Sequence, residues 1–117
     1  MNYLCIADAS DIMFIEFDKE YLKELYVDGK SSDKKHRYQP EVVRGYQKAV
    51  FALLSADKIS DLFPVKALNY EVLQGDKSGV SSVRINRKYR LEFTVREEFN
   101  KKIITICKLL DISNHYK

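Results

Sequence analysis

The sequence predicts an α+β domain, with an N-terminal strand and two helices packed on a mainly antiparallel sheet of four to five strands. Three observations predict it. The chain is 117 residues long, the size of one domain around one core. Its first half carries apolar residues at helical spacing, and its second half changes to a period of two. Clusters of turn-forming residues separate the runs of the second half.

Ile12 to Phe17 is a run of β-prone apolar residues and reads as the first strand. Residues 1–11 precede this pattern and are expected to form an N-terminal extension outside the sheet, with Met13 as an alternative start. The whole chain, 1–117, then makes a single domain. Asp18 offers a helix N-cap and Gly29 a C-terminal stop. Between them Tyr21, Leu22, Leu25 and Tyr26 line one helical face. The tyrosines here and Tyr46 are expected in the core with water-exposed hydroxyls.

Residues 30–38 form a polar, basic loop, and Pro40 suits a first helical turn. Val42, Val43, Tyr46, Ala49, Val50, Leu53 and Leu54 then mark an amphipathic helix that ends near Ala56. Residues 59–63 fit a helical turn stopped before Pro64. Residues 70–74 are a candidate strand, and residues 75–79 are turn chemistry. Val83 and Ile85, then Tyr89, Leu91, Phe93 and Val95, alternate with polar residues as half-buried strands do. Residues 97–101 read as a charged turn, and residues 103–110 as a nearly continuous apolar inner strand.

Composition narrows the function. No apolar run approaches the roughly 18 residues of a membrane span, and no signal peptide opens the chain. Cys5 and Cys107 match no metal spacing, so no metal and no cofactor are expected. Cys107 reads as a packed apolar position. The expected compartment is the cytoplasm, with reduced thiols. The net charge of +3 is unevenly spread. Lys77, Arg84, Arg87, Lys88 and Arg90 fall in one stretch without an acid. Lys30, Lys34, Lys35 and Arg37 share another with a single acid, Asp33. Both stretches suit a polyanion.

The hairpin register follows from side-chain alternation. For Val83, Ile85, Leu91 and Phe93 to share the core face, the loop must be Asn86-Arg87-Lys88, which sets Arg84 opposite Arg90. Like charges in that position cost about 0.2–1 kcal/mol. Glu92, two residues on, offsets part of this. The pair makes physical sense if an anion binds between the guanidinium forks. Both side chains are expected to point away from the core, so that removing either leaves stability little changed.

The stretch Leu73-Gln74-Gly75-Asp76-Lys77-Ser78-Gly79, then Ser82-Val83-Arg84-Ile85, Tyr89-Arg90-Leu91-Glu92-Phe93 and the terminal Asp111-Ile112-Ser113-Asn114-His115-Tyr116 resemble the HigB branch of the RelE-type toxins of bacterial toxin–antitoxin systems. The resemblance runs from about Ile12 to Lys117. It implies a RelE-like fold and a small endoribonuclease that cuts messenger RNA, usually at the ribosome, without a metal. The ribose 2′-OH attacks the neighbouring phosphate, leaving a cyclic or 3′-phosphate and releasing a 5′-OH. A helix-turn-helix antitoxin is the implied protein partner. Arg84 and Arg90 match the arginines that bind the scissile phosphate. His115 and Tyr116 match the terminal pair that transfers a proton and stacks on a base. Lys77, Arg87, Lys88, Lys35, His36 and Arg37 are the candidate RNA contacts.

Two positions depart from the family's pattern. Gln74 stands where a lysine is frequent, and Lys77 is an alternative source of that charge. Many members end Tyr-His, whereas this chain runs His115-Tyr116-Lys117. Imidazole titrates near 6.5 and phenol near 10, which favours His115 as the proton carrier; position in the chain favours Tyr116. Two other readings share the fold: a non-catalytic ParE-like toxin that binds a gyrase, and an inactive relative that only binds antitoxin.

Overall fold

The computed structural model describes residues 3–6, 12–100 and 102–114. Its strands are β1 (Tyr3–Ile6), β2 (Ile12–Phe17), β3 (Glu71–Val72), β4 (Ser81–Arg84), β5 (Tyr89–Asn100) and β6 (Lys102–Asn114). Two helices, α1 (Glu20–Val27) and α2 (Pro40–Ser55), lie between β2 and β3. The six strands form one sheet in the order β1-β2-β6-β5-β4-β3. Only β2 and β6 run parallel; the other pairs are antiparallel. The α+β, mainly antiparallel architecture is therefore as expected, with one strand more than the upper estimate.

The extra strand is β1. Tyr3 to Ile6 pair with residues 13–16 of β2, which corrects the expectation that residues 1–11 lie outside the sheet. The physical reason is the free edge of β2: its N–H and C=O groups need partners, and a short apolar segment supplies them. Residues 97–101 also differ from expectation. Strand pairing continues to the tip, where Asn100 faces Lys102. The two strands project there as a ribbon, and Phe99 is 76% exposed. Charged residues are tolerated on such a ribbon because neither of its faces is buried.

Both helices pack on one face of the sheet. Met13, Ile15 and Phe17 of β2 meet Cys107 and Leu109 of β6, Leu91 and Phe93 of β5, and the apolar face of α2. Helix α2 is as predicted, with Pro40 in its first turn and Ala56 as its C-cap. Helix α1 differs at its start. Its N-cap is Lys19, because Asp18 still belongs to the strand end: its N–H donates to the Leu109 carbonyl (2.9 Å) and its carboxylate pairs with Lys108 (3.3 Å). Gly29 does end the helix region in the left-handed conformation (φ 75°). The Tyr46 hydroxyl is not wet: it donates to the Leu22 carbonyl (2.7 Å) and joins α2 to α1 inside the core.

Helix α2 passes directly over the β4–β5 hairpin. A Cβ on Gly45 would lie 2.6 Å from the Ile85 carbonyl oxygen, a backbone atom that cannot swing aside. A helical glycine replaced by alanine ordinarily gains up to about 1 kcal/mol. Here Gly45→Ala is expected to lose about 1–3 kcal/mol through overpacking, measured by urea denaturation.

Candidate functional site

The β4–β5 hairpin closes as its alternation requires. The Asn86 side-chain oxygen accepts from the N–H groups of Lys88 (2.9 Å) and Tyr89 (2.8 Å), so the three-residue loop organises itself. Val83 then faces Leu91, and Arg84 faces Arg90. Val83 and Leu91 point to the helices, and both arginines belong to the opposite face.

The two arginines are not equivalent. Arg84 is exposed, whereas Arg90 is 5% exposed. The Arg90 guanidinium donates from Nε to Ser82 Oγ (2.8 Å) and from Nη2 to the carbonyls of Asn69 (2.6 Å) and Ser82 (3.2 Å). Glu71 of β3 pairs with it at 3.4 Å. Arg90 thus points away from the helix-side core as expected, but it is buried and bonded there, which corrects the ground for expecting its removal to change stability little. The segment before β3 lies along the edge of β4: the Arg84 N–H donates to the Leu68 carbonyl (2.6 Å), and Asn69 takes the left-handed conformation (φ 44°) that asparagine tolerates. Burial pulls the Arg90 pKa below its ordinary value; Glu71 opposes this and neighbouring Arg84 adds to it.

A cleft of about 310 Å³ opens around this guanidinium, walled by Gln74, Lys77, Ser82, Glu92 and Ser113 among others. Lys77 reaches into it from the turn after β3 and pairs with the Glu92 carboxylate at 2.7 Å. Gln74 and Lys77 thus line the same cleft. The basic stretch that lacks an acid in sequence acquires two in space, Glu71 and Glu92. Neither was singled out as a site residue. The signal for Glu92 was present, since it shares the face of Arg90 two residues away.

A second concavity, a groove of about 740 Å³, lies on the other side of the hairpin loop. It gathers Arg37 with Arg87 and Lys88, three of the candidate RNA contacts. Tyr38 and Tyr89 meet edge-to-face in its wall, with centroids 5.3 Å apart, and Lys88 Nζ lies 5.5 Å from the Tyr89 ring. The Tyr38 hydroxyl is pushed up to about 12, chiefly by burial and then by nearby Asp111. It is a neutral phenol at physiological pH.

His36 does not join either arginine. Its ring stacks on Tyr21 at 3.6 Å and its Nδ1 lies 2.8 Å from the Asp33 carboxylate. Asp33 also accepts from the Lys35 backbone N–H (2.9 Å), while the Lys35 residue is exposed. The Lys35 and Asp33 contacts close this 3₁₀ turn and hold its Asp33 carboxyl below its usual pKa, first through the Lys35 backbone bond and then through His36.

His115 and Tyr116 lie outside the described residues. The strand that leads to them is held from the helix layer. Opposite Glu92 and Phe93, β6 carries one extra residue, a bulge at Leu110. The Tyr21 hydroxyl pins it, donating to the Asp111 carboxylate and accepting from the Ile112 N–H (3.0 Å). Ser113 then faces Arg90 and Asn114 faces Tyr89. Among the described residues no group of three or more His, Cys, Asp or Glu side chains could hold a metal. No helix there is long and apolar enough to cross a membrane. Cys107 is buried in the core, its thiol pushed up to about 12 by burial.

Residues 15–111 match the family model of HigB-like toxins, described as the RelE-like toxin of the type II toxin–antitoxin system HigB. Toxin HigB-1 of Vibrio cholerae serotype O1 is 34% identical over 85 residues, which span 69% of this chain and 82% of that protein. A YoeB/ParE toxin from Agrobacterium tumefaciens is similar in structure, with 13% identity, 87% of this chain and 98% of its own covered, and a TM-score of 0.49. YafQ from E. coli strain BL21(DE3) is similar at 15% identity, with 86% and 91% covered and a TM-score of 0.46.

The unequal settings of the two arginines separate their effects on stability. Arg84→Ala is expected to stay within about 0.5 kcal/mol of the parent, as for an exposed side chain. Arg90→Ala strands the Asn69 and Ser82 acceptors and the Glu71 carboxylate, and is expected to cost about 3 kcal/mol. Urea denaturation of the two variants side by side reads the difference.

Proposed function

This chain belongs to the HigB-like, RelE-like toxins of type II toxin–antitoxin systems, and from that premise we propose that it is a metal-independent endoribonuclease that cleaves mRNA at the ribosome. Membership implies an antitoxin partner; in the proposal that partner carries a helix-turn-helix. The observation that carries the reading is the Arg90 guanidinium, held at the base of a cleft with Lys77 on its wall and Arg84 directly across the strand pair.

The chemistry follows from charge. Attack of a ribose 2′-OH on the adjacent phosphate gathers negative charge on the phosphoryl oxygens. Preorganised guanidinium groups stabilise that charge without having to reorient during the reaction. Arg90 is preorganised by its Ser82 and Asn69 bonds, and exposed Arg84 supplies the second fork. His115 gives a proton to the departing 5′ oxygen, and Tyr116 stacks on a base beside it. The groove of Arg37, Arg87 and Lys88 follows the RNA backbone, with Tyr38 and Tyr89 offering aromatic surface to bases. Lys35 and His36 flank that path.

One observation favours a second reading, an inactive relative that only binds antitoxin: Lys77 and Arg90 are both already paired with carboxylates. Mapping mRNA 5′ ends after induced expression decides between them. Discrete cuts within translated codons are expected. Intact mRNA would overturn the nuclease reading, and accompanying DNA-damage signalling would point to a gyrase-binding toxin.

In single-turnover cleavage, His115→Gln is expected to lose about 10²–10⁴-fold and Tyr116→Phe much less, the usual cost of a lost acid or base against that of a positioning group. The reverse order would assign the proton to Tyr116. Binding should also weaken steeply with salt. Replacing Arg87 or Lys88 by Ala is expected to reduce the salt slope by about one each, read by titrating uncleavable RNA at several salt concentrations.

A further inference from the structure

Glu92 is an unusual group to find in an anion-binding cleft. Its residue is only 9% exposed, and it sits on the same strand face as Arg90, directly opposite Ser82 on β4 and Asp111 on β6. A buried carboxylate is costly unless something is gained by it. One oxygen, Oε2, accepts from Lys77 Nζ at 2.7 Å. The other, Oε1, has no partner among the described residues, and it is not sealed from solvent, since the side chain lines the cleft. The other charged groups around it are accounted for. Arg90 is tied to Ser82, Asn69 and Glu71; Asp111 is turned to Tyr21 and Lys19. Lys77 is the exposed member of the set: its side chain is 55% exposed, and its turn runs between Gly75 and Gly79, both at positive φ.

We propose that Glu92 is the general base of the reaction, and that Lys77 masks it until RNA arrives. The inference rests on the endoribonuclease reading above. A phosphate entering the cleft competes for Lys77 and draws it from Glu92. The freed carboxylate takes the proton of the 2′-OH. The 2′ oxygen bonds to phosphorus, the bond from phosphorus to the 5′ oxygen breaks, and that oxygen takes the proton assigned to His115. The products are a 2′,3′-cyclic phosphate and a 5′-OH, and Glu92 returns its proton to solvent. The base and Arg90 thereby share one cleft, two residues apart on β5, with Arg84 across the strand pair on β4.

Rate and affinity separate this role from a merely structural one. The experiment uses the purified full chain, ribosomes programmed with a cleavable mRNA under single-turnover conditions, and the same programmed ribosomes carrying a 2′-deoxy nucleotide at the cut site as a binding probe. Glu92→Gln is expected to slow cleavage about 10²–10⁴-fold while binding the deoxy probe as tightly as the parent or more tightly, because a negative charge has left the cleft. Glu92→Asp, which keeps a carboxylate and guards against misfolding, is expected to fall between. Lys77→Met breaks the same ion pair from the other side and is expected to weaken probe binding several-fold. The inference is overturned if Glu92→Gln cleaves within about fivefold of the parent, or if Lys77→Met and Glu92→Gln slow the reaction equally at saturating RNA. If the parent protein does not cleave RNA at all, the nuclease reading itself fails and this one with it.

Discussion

A guanidinium cannot be buried without partners, and the burial of Arg90 organises the open face of the sheet. Its Nη2 and Nε must find acceptors, and the nearest side chain on β4 supplies only Ser82. The remaining acceptors, the Asn69 carbonyl and the Glu71 carboxylate, are brought by the segment that runs along β4 into β3. The left-handed backbone of Asn69 belongs to this segment, and the short β3 continues it. The cleft is what remains between that segment, the turn at residues 75–79 and the end of β6.

A second constraint acts from the helix side. Tyr21, anchored on α1, reaches the bulge of β6 and holds Asp111 and Ile112 in place. Its hydroxyl is driven far above its ordinary pKa by burial and by the Asp111 carboxylate, so it remains a donor at any physiological pH. The bulge shifts the register by one residue, so Ser113 falls opposite Arg90. The strand that leads to His115 and Tyr116 is thus aligned with the arginine by a contact from the other layer of the fold. His36, stacked on the same Tyr21 ring, ties the basic loop into that contact.

The hairpin separates two basic surfaces with different electrostatics. On the cleft side Lys77 and Arg90 each have a carboxylate partner, so the field there is set by competition between protein acids and an incoming anion. On the groove side Arg37, Arg87 and Lys88 have no ion-pair partner among the described residues, and these three cations outnumber the one acid of the lining, Glu41. In the proposed reaction the groove would draw RNA in, and the cleft would discriminate the phosphate that displaces Lys77.

The sequence by itself determined the parts that rest on local rules. The periodicity of Val42 to Leu54 specified α2, and side-chain alternation left one loop length that keeps Val83 and Leu91 in the core, so the Arg84–Arg90 pairing was legible before any coordinates. The charges on residues 30–37 and 77–90 were legible too, but not what neutralises them. Only the tertiary structure decided that Arg90 is buried while Arg84 is not, because that burial depends on residues 69–71 docking beside β4 from an earlier part of the chain. It also decided that Glu71 and Glu92 enter the basic stretch, that residues 3–6 complete the sheet, and that Gly45 is pressed against Ile85. Each of these is a contact between distant segments. Alternation and helical spacing determine which way a side chain points; which distant segment then covers it is settled only when the layers pack.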